Sequence, residues 1–202
     1  DVGIEEQFLP PHSNRMQETL DSVSDWTDQN LMRINEKKCN FMIFSRSEAK
    51  FATRLNMNNV VLDKVSEAKI LGVWVTDDLS WSKNCRDITI RAFSRLSMLT
   101  KLRYVGTKIE DLIEIYILYI RSITEYCSVA YHSSLTVAQS DKIERIQKVC
   151  LRDILGDLYV SYEAALEMCG LKSLSLREQR CLNFSLKCVK HPANNRLFPL
   201  NT

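Results

Sequence analysis

The sequence predicts an α+β fold: a small antiparallel sheet with one packed helix at its N-terminal side, followed by a mainly α-helical region. Three observations carry this expectation. Short runs rich in β-branched and aromatic side chains, CNFMIFS at 39–45 and AKILGVWV at 68–75, fall within the first 80 residues. From Ser82 onward the apolar residues recur at helical spacing instead. Glycine and proline are scarce, 5 and 4 in 202 residues, which favours long helices over tight turns.

Taken in order, Pro10 and Pro11 break any element before them. Ser13 is placed to cap a helix over 14–30, with Met16, Leu20, Val23 and Trp26 or Thr27 facing a core. The run 39–45 reads as a strand and Ser45–Lys50 as a polar turn. FATRLNM and NVVLDKV form the arms of a hairpin joined near Asn58 and Asn59, and 68–75 reads as one further strand closed by Asp77 and Asp78. Helices follow over 83–103, 108–123 and 137–154, the last ended by Gly156 in the manner of a C-cap. Two shorter helices, 161–168 and 174–190, are separated by Gly170 and stopped by Pro192.

Composition sets outer limits on function. An apolar share of 45% against 26% charged is globular usage rather than disorder. A net charge of +2 by itself argues for no partner. Seven cysteines, an odd number with no CxxC pair, favour a reduced, intracellular environment. The longest apolar run, IEIYILYI at 113–120, contains Glu114 and falls far short of the roughly 20 residues that span a bilayer, so no membrane is expected. The chain opens on DVGIEEQFLPPH without Met or a leader pattern, and reads as a segment of something longer or as a processed precursor.

Lys38 stands between a helix and a strand expected to pack together. Its ammonium either enters a cleft, where it would donate protons or neutralise phosphate, or snorkels to solvent from the sheet edge. Asn35 is expected to brace the same turn by bonding its own backbone. Asp77 and Asp78 invite a two-metal reading, but adjacent strand residues point to opposite faces and no third carboxylate is evident, so a turn or capping role is preferred. Gly72, inside an apparent strand, marks either a bulge or a close approach to the backbone. The helix 83–103 carries Lys83, Arg86, Arg91, Arg95, Lys101 and Arg103 against Asp87 alone, which is either a solvated face or a phosphate-contacting one. Cys181, Cys188, His191 and Cys169 lack the paired spacing of a zinc site, and no hydrolytic elbow, Walker or dinucleotide fingerprint is present. No metal ligand set is assigned.

Several motifs, each weak alone, occur in a specific order. Leu20, Trp26, Asn30, Met32, Asn35, Lys38, Cys39, Met42 and Phe44 open the series. Ile70-Leu71-Gly72 and then Asp77, Leu79 and Trp81 continue it. The stretches IEIYILYIRSITEYCSVAYH and IERIQKVCLRDILG precede a tail of Tyr162, Leu171, Leu174, Arg177 and Arg180. From about residue 14 to 190 this order resembles the C-terminal part of reverse transcriptases from non-long-terminal-repeat (LINE-type, jockey-like) retrotransposons. Ile70 stands where that family commonly has an aromatic.

The resemblance implies an irregular upstream segment at 1–13, a partial palm with the primer-grip hairpin at 14–81, a thumb-like helical region at 82–155 and a helical extension at 156–202. It implies that Lys38 assists the leaving pyrophosphate or steadies the nucleotide, that Leu71 and Gly72 hold the primer end, and that Asn35 and Trp26 are structural. Arg86, Arg91 and Arg95 are the expected contacts to the primer–template backbone. The family's catalytic aspartates and its aromatic-Ala-Asp-Asp turn lie upstream of the matched region. The chain is therefore expected to be inactive alone, with no cofactor of its own. In a complete RNA-directed DNA polymerase the partners would be an RNA template, a DNA primer and the upstream palm and fingers, and the ion would be Mg²⁺. The rival expectations are a non-catalytic nucleic-acid-binding or scaffolding protein derived from such an element, and a marginally folded remnant with exposed apolar surface beside 41–44 and 70–75.

Overall fold

In the computed structural model, which describes residues 11–44 and 54–191, the fold is α+β as expected. Small two-stranded sheets and one helix come first, and a mainly helical region follows. The expected turn Ser45–Lys50 and the first residues of the FATRLNM arm lie outside the described residues, as does nearly all of the segment 1–13. The chain divides into two compact units. One runs to Ile70 and takes in Val75–Ser80; the other holds Leu71–Trp74 and the chain from Trp81 onward.

In the first unit, helix α1 (Pro11–Gln29) starts on a proline, whose missing N–H costs nothing in a first turn. Strands β2 (Asn56–Met57) and β3 (Val60–Val61) form the expected antiparallel hairpin. Its turn residues Asn58 and Asn59 both have positive φ, 49° and 64°, the geometry that matches the right-handed twist of the strands. β1 is only Asn40–Phe41, and it pairs in parallel with β4 (Asp63–Lys64), where an antiparallel sheet was expected. Phe41, Leu55, Met57 and Leu62 form a small core, with Leu20, Ile34, Cys39 and Ile43 packed against it. The Gln17 side chain docks α1 on β2: Nε2 donates to the Asn56 carbonyl at 2.8 Å and Oε1 accepts from the Asn56 N–H at 2.9 Å.

The α1 face is narrower than its periodicity implies. Leu20 and Thr27 turn inward, whereas Met16, Val23 and Trp26 are exposed, because a core of four buried side chains cannot cover so wide an apolar arc. Trp26, expected in the core, is 55% exposed.

The run 68–75 is not one strand. β5 (Glu67–Ile70) pairs with β6 (Val73–Thr76), and Leu71 and Gly72 form the two-residue connection, with φ of 46° and 85°. What read as an interior strand glycine is thus the second residue of a turn that needs positive φ at both positions.

The second unit is built on α2 (Ser82–Tyr104) and α6 (Val137–Leu155). They run parallel: Gln139 near the start of α6 donates to Ser82 at the start of α2, and Thr100 near the end of α2 donates to Asp153 near the end of α6. Thr136 and Gln139 close a reciprocal capping box at the head of α6. Between them lie α3 (Ile109–Ile115), a π-helical turn (Tyr116–Arg121), α4 (Ser122–Glu125) and α5 (Ser128–Tyr131). The expected single helix 108–123 is therefore interrupted by a wider turn. Helices α7 (Tyr162–Met168) and α8 (Arg177–Lys190) complete the described chain. The core gathers Ile88, Ala92 and Leu99 of α2, Leu112, Tyr116 and Ile120, and Ile143, Ile146, Cys150 and Ile154 of α6. Gly156 ends α6 at φ 54°, where a Cβ would overlap the Arg103 guanidinium. Among the described residues no helix is long and apolar enough to cross a membrane.

Candidate nucleic-acid interface

Helix α2 forms because its apolar positions repeat every three to four residues, and that same period distributes its arginines around the cylinder. Arg86 and Arg95 consequently project on opposite sides. Arg91 pairs with Asp87 one turn earlier at 3.5 Å, both partly exposed. Arg95 donates to the Tyr119 carbonyl at 2.6 Å, inside the π-helical turn whose wider spacing leaves backbone acceptors without their usual partners. Arg103 pairs with Asp153 at 3.7 Å, and the Lys83 ammonium stands 3.7 Å over the Trp74 ring. These cations are engaged within the unit.

Arg86 has a different setting. It lines a groove of about 500 Å³ between the opening turns of α2 and α6, together with Ser82, Cys85, Thr89 and Ile90 of α2 and Gln139, Lys142 and Arg145 of α6. Arg86, Lys142 and Arg145 are all exposed, and none of their side chains makes a hydrogen bond or ion pair with the described residues. No carboxylate is in the lining. Asp87 and Asp141, adjacent in sequence to two of these cations, stand outside it, and Asp87 is held by Arg91. Burial raises the Cys85 thiol pKa, and the Lys142 charge partly offsets that rise. Since α2 and α6 are parallel, the positive ends of their dipoles add at this end. The groove thus gathers three cationic side chains beside Cys85, Thr89 and Ile90.

Lys142 and Arg145 were not singled out from the sequence. Their i, i+3 spacing puts both on one face of α6, a signal that becomes informative only once that face is known to border Arg86.

The hairpin tip Leu71–Gly72 has its own partner in the second unit. The Tyr126 hydroxyl donates to the Leu71 carbonyl at 2.8 Å, and a Cβ on Gly72 would lie 3.4 Å from the Tyr126 ring. Leu71 itself is 84% exposed. A hydrogen bond with Cys127 is the main cause of the raised Tyr126 pKa, so the hydroxyl stays a donor at neutral pH.

Lys38, in the first unit, ends a 3-10 turn (Glu36–Lys38) and is exposed, and its ammonium has no hydrogen-bond or ion-pair partner among the described residues. Of its two expected settings, the structure shows the solvent-facing one. Asn35 does not brace the turn with its side chain; its carbonyl accepts from the Lys38 N–H at 3.0 Å and from the Cys39 thiol at 3.4 Å. Asp78 is a turn residue: its Oδ1 accepts from the Thr76 hydroxyl at 2.6 Å and the Ser80 N–H at 2.8 Å, which hold the carboxyl below the usual carboxylate range. Among the described residues no three His, Cys, Asp or Glu side chains gather as a metal site. The side chains of Arg177 and Arg180 lie outside the described residues.

No protein-family model matches this sequence, and no curated protein and no solved structure is significantly similar to it.

Proposed function

We propose that this chain is a non-catalytic C-terminal part of a LINE-type reverse transcriptase, and that it holds nucleic-acid backbone in the α2–α6 groove. The observation that carries the binding half of this reading is the set of three unengaged cations, Arg86, Lys142 and Arg145, around one groove without a carboxylate. Nucleic-acid affinity is dominated by such neutralisation of phosphates. The assignment to a retroelement rests on the order of sequence motifs. Unpartnered apolar surface in the first unit, at Met16, Val23, Trp26, Phe44 and Val61, fits a body that upstream palm and fingers would cover.

In the complete enzyme the reaction would be templated addition of deoxynucleotides to a primer 3′ hydroxyl with Mg²⁺. The described residues do not fit that ion pair, since Asp78 is committed to its own turn and no further acids converge on it. No catalytic step is assigned to this chain. Lys38 and the Leu71–Gly72 tip would serve only beside the missing acids.

The second reading, a binding or scaffolding protein derived from a retroelement, draws on the same groove. Two measurements on the purified chain separate the possibilities. Anisotropy with RNA and RNA–DNA hybrid oligonucleotides should give binding that weakens steeply between about 50 and about 200 mM salt. Primer extension with Mg²⁺ should give no incorporation. Salt-insensitive or absent binding overturns the groove reading; sustained incorporation overturns the non-catalytic assignment.

A further inference from the structure

We propose that the α2–α6 groove is a terminal-phosphate site, which takes the phosphomonoester at the end of a nucleic-acid strand in preference to the diesters along it. This rests on the groove being the nucleic-acid contact argued above, and it specifies which phosphate enters. The case begins with where free positive charge lies. A helix that tracks a backbone needs cations strung along its length, each facing one singly charged diester. On α2 three cations beyond the first turns have partners, Arg91 with Asp87, Arg95 with the Tyr119 carbonyl and Arg103 with Asp153, and the exposed Lys101 side chain near the far end has none among the described residues. Three unengaged cations gather at the opposite end of the helix pair, where Arg86 from one helix meets Lys142 and Arg145 from the other.

A phosphomonoester carries about −1.5 to −2 charge near neutral pH and offers three acceptor oxygens. Three cations in one groove match that group better than they match a single diester charge. Ser82, Cys85, Thr89 and Ile90 supply the rest of the α2 side of the lining. No aromatic side chain is in the lining, so base stacking does not contribute and recognition falls on the charged group. The parallel dipoles of α2 and α6 favour the more highly charged anion further.

Either end of a strand can carry this group, and the experiment separates the two. One RNA sequence is prepared with a 5′-phosphate, with a 3′-phosphate and with hydroxyls at both ends, and each is titrated against the whole chain by anisotropy. The expected result is that one phosphorylated form binds at least about fivefold more tightly than the hydroxyl form. Inorganic phosphate should compete, and the tighter phosphorylated strand identifies the end that enters. In Lys142→Gln and Arg145→Gln the preference should fall close to one, while Arg91→Gln keeps it. All three side chains are exposed, and circular dichroism checks that the helices are intact. Equal binding of the three strands overturns the terminal-phosphate site and leaves backbone binding standing. A preference that survives both glutamine variants overturns the placement in this groove. Absence of binding by any strand overturns both readings.

Discussion

The Tyr126 hydroxyl and the Leu71 carbonyl, 55 residues apart in sequence, are joined by a 2.8 Å hydrogen bond. The bond ties the tip of the β5–β6 connection to the turn after α4, and it does so at a place where Leu71 has an unfavourable positive φ. Tyr126→Phe keeps the ring that Gly72 packs on and removes only the donor. Amide exchange should accelerate at Leu71, Gly72 and Val73 while the global melting temperature hardly moves, since the loss is local. Unchanged exchange at these three amides would show that the tip is held by something else.

The groove cations and the engaged cations make opposite predictions. For single-stranded RNA, log affinity against log salt should lose roughly 0.7 of slope for each of Arg86→Gln, Lys142→Gln and Arg145→Gln. Arg91→Gln and Lys38→Ala should leave the slope nearly unchanged, the first because its charge is shared with Asp87, the second because Lys38 has no part in the groove. Lys38→Ala should also leave stability within about 0.5 kcal/mol. A slope that drops for Arg91→Gln as much as for Lys142→Gln removes the distinction on which the site rests.

A buried polar chain crosses the second unit. The Tyr116 hydroxyl donates to Gln147 Oε1 at 2.8 Å, Gln147 Nε2 reaches the Tyr162 oxygen at 2.9 Å and the Lys172 carbonyl at 3.1 Å, and Tyr162 in turn donates to Glu144. Glu144 also accepts from the backbone of Leu174 and Ser175, which fixes the approach to α8. Tyr116 and Gln147 are fully buried, so Tyr116→Phe leaves an amide oxygen without a partner or water. The cost should be about 1–3 kcal/mol, read as a lower urea midpoint with unchanged denaturant slope. A midpoint equal to that of the parent would mean that the chain of bonds contributes nothing net.

Alkaline pH should unfold the second unit. Burial pushes the Cys150 thiol from its ordinary value of 9.0 up to about 12. Burial also raises Tyr116 and Tyr162, the latter helped by its hydrogen bond to Glu144. Below about pH 9 these groups are protonated in both states and the full stability is present. Above it the unfolded chain releases protons that the folded chain retains, so stability falls toward the folded values. The urea midpoint should be flat from about pH 6 to about pH 8 and decline above pH 9. A midpoint that holds through about pH 11 contradicts the burial argument.

The long helices were legible because a three-to-four-residue apolar period over 19 or 23 residues has no other explanation. The turn at Leu71–Gly72 was not, since KILGVWV supplies a nearly continuous β-rich run and leucine is a poor marker of positive φ. Strands of two residues, as in β1 and β4, carry no period at all, and parallel pairing of residues more than 20 apart is a tertiary choice. At the site, Arg86 could be named from the basic bias of α2. Lys142 and Arg145 could not, because a residue on α6 becomes a neighbour of Arg86 only through parallel packing. The exposure of Trp26 has a related reason: periodicity locates an apolar arc but does not say how much protein is present to cover it.

The parallel arrangement of α2 and α6 has a price in time. Two neighbouring helices joined by a short loop meet antiparallel and find each other quickly. Here the chain must travel back from Tyr104 to Val137 before Ser82 can meet Gln139, 57 residues away in sequence. Closing so long a loop is entropically costly, and contacts of this kind slow the search for the native state. The groove, which exists only where these two helices lie side by side, is therefore among the last features to mature, and a nascent chain stopped before Arg145 has no such groove to offer.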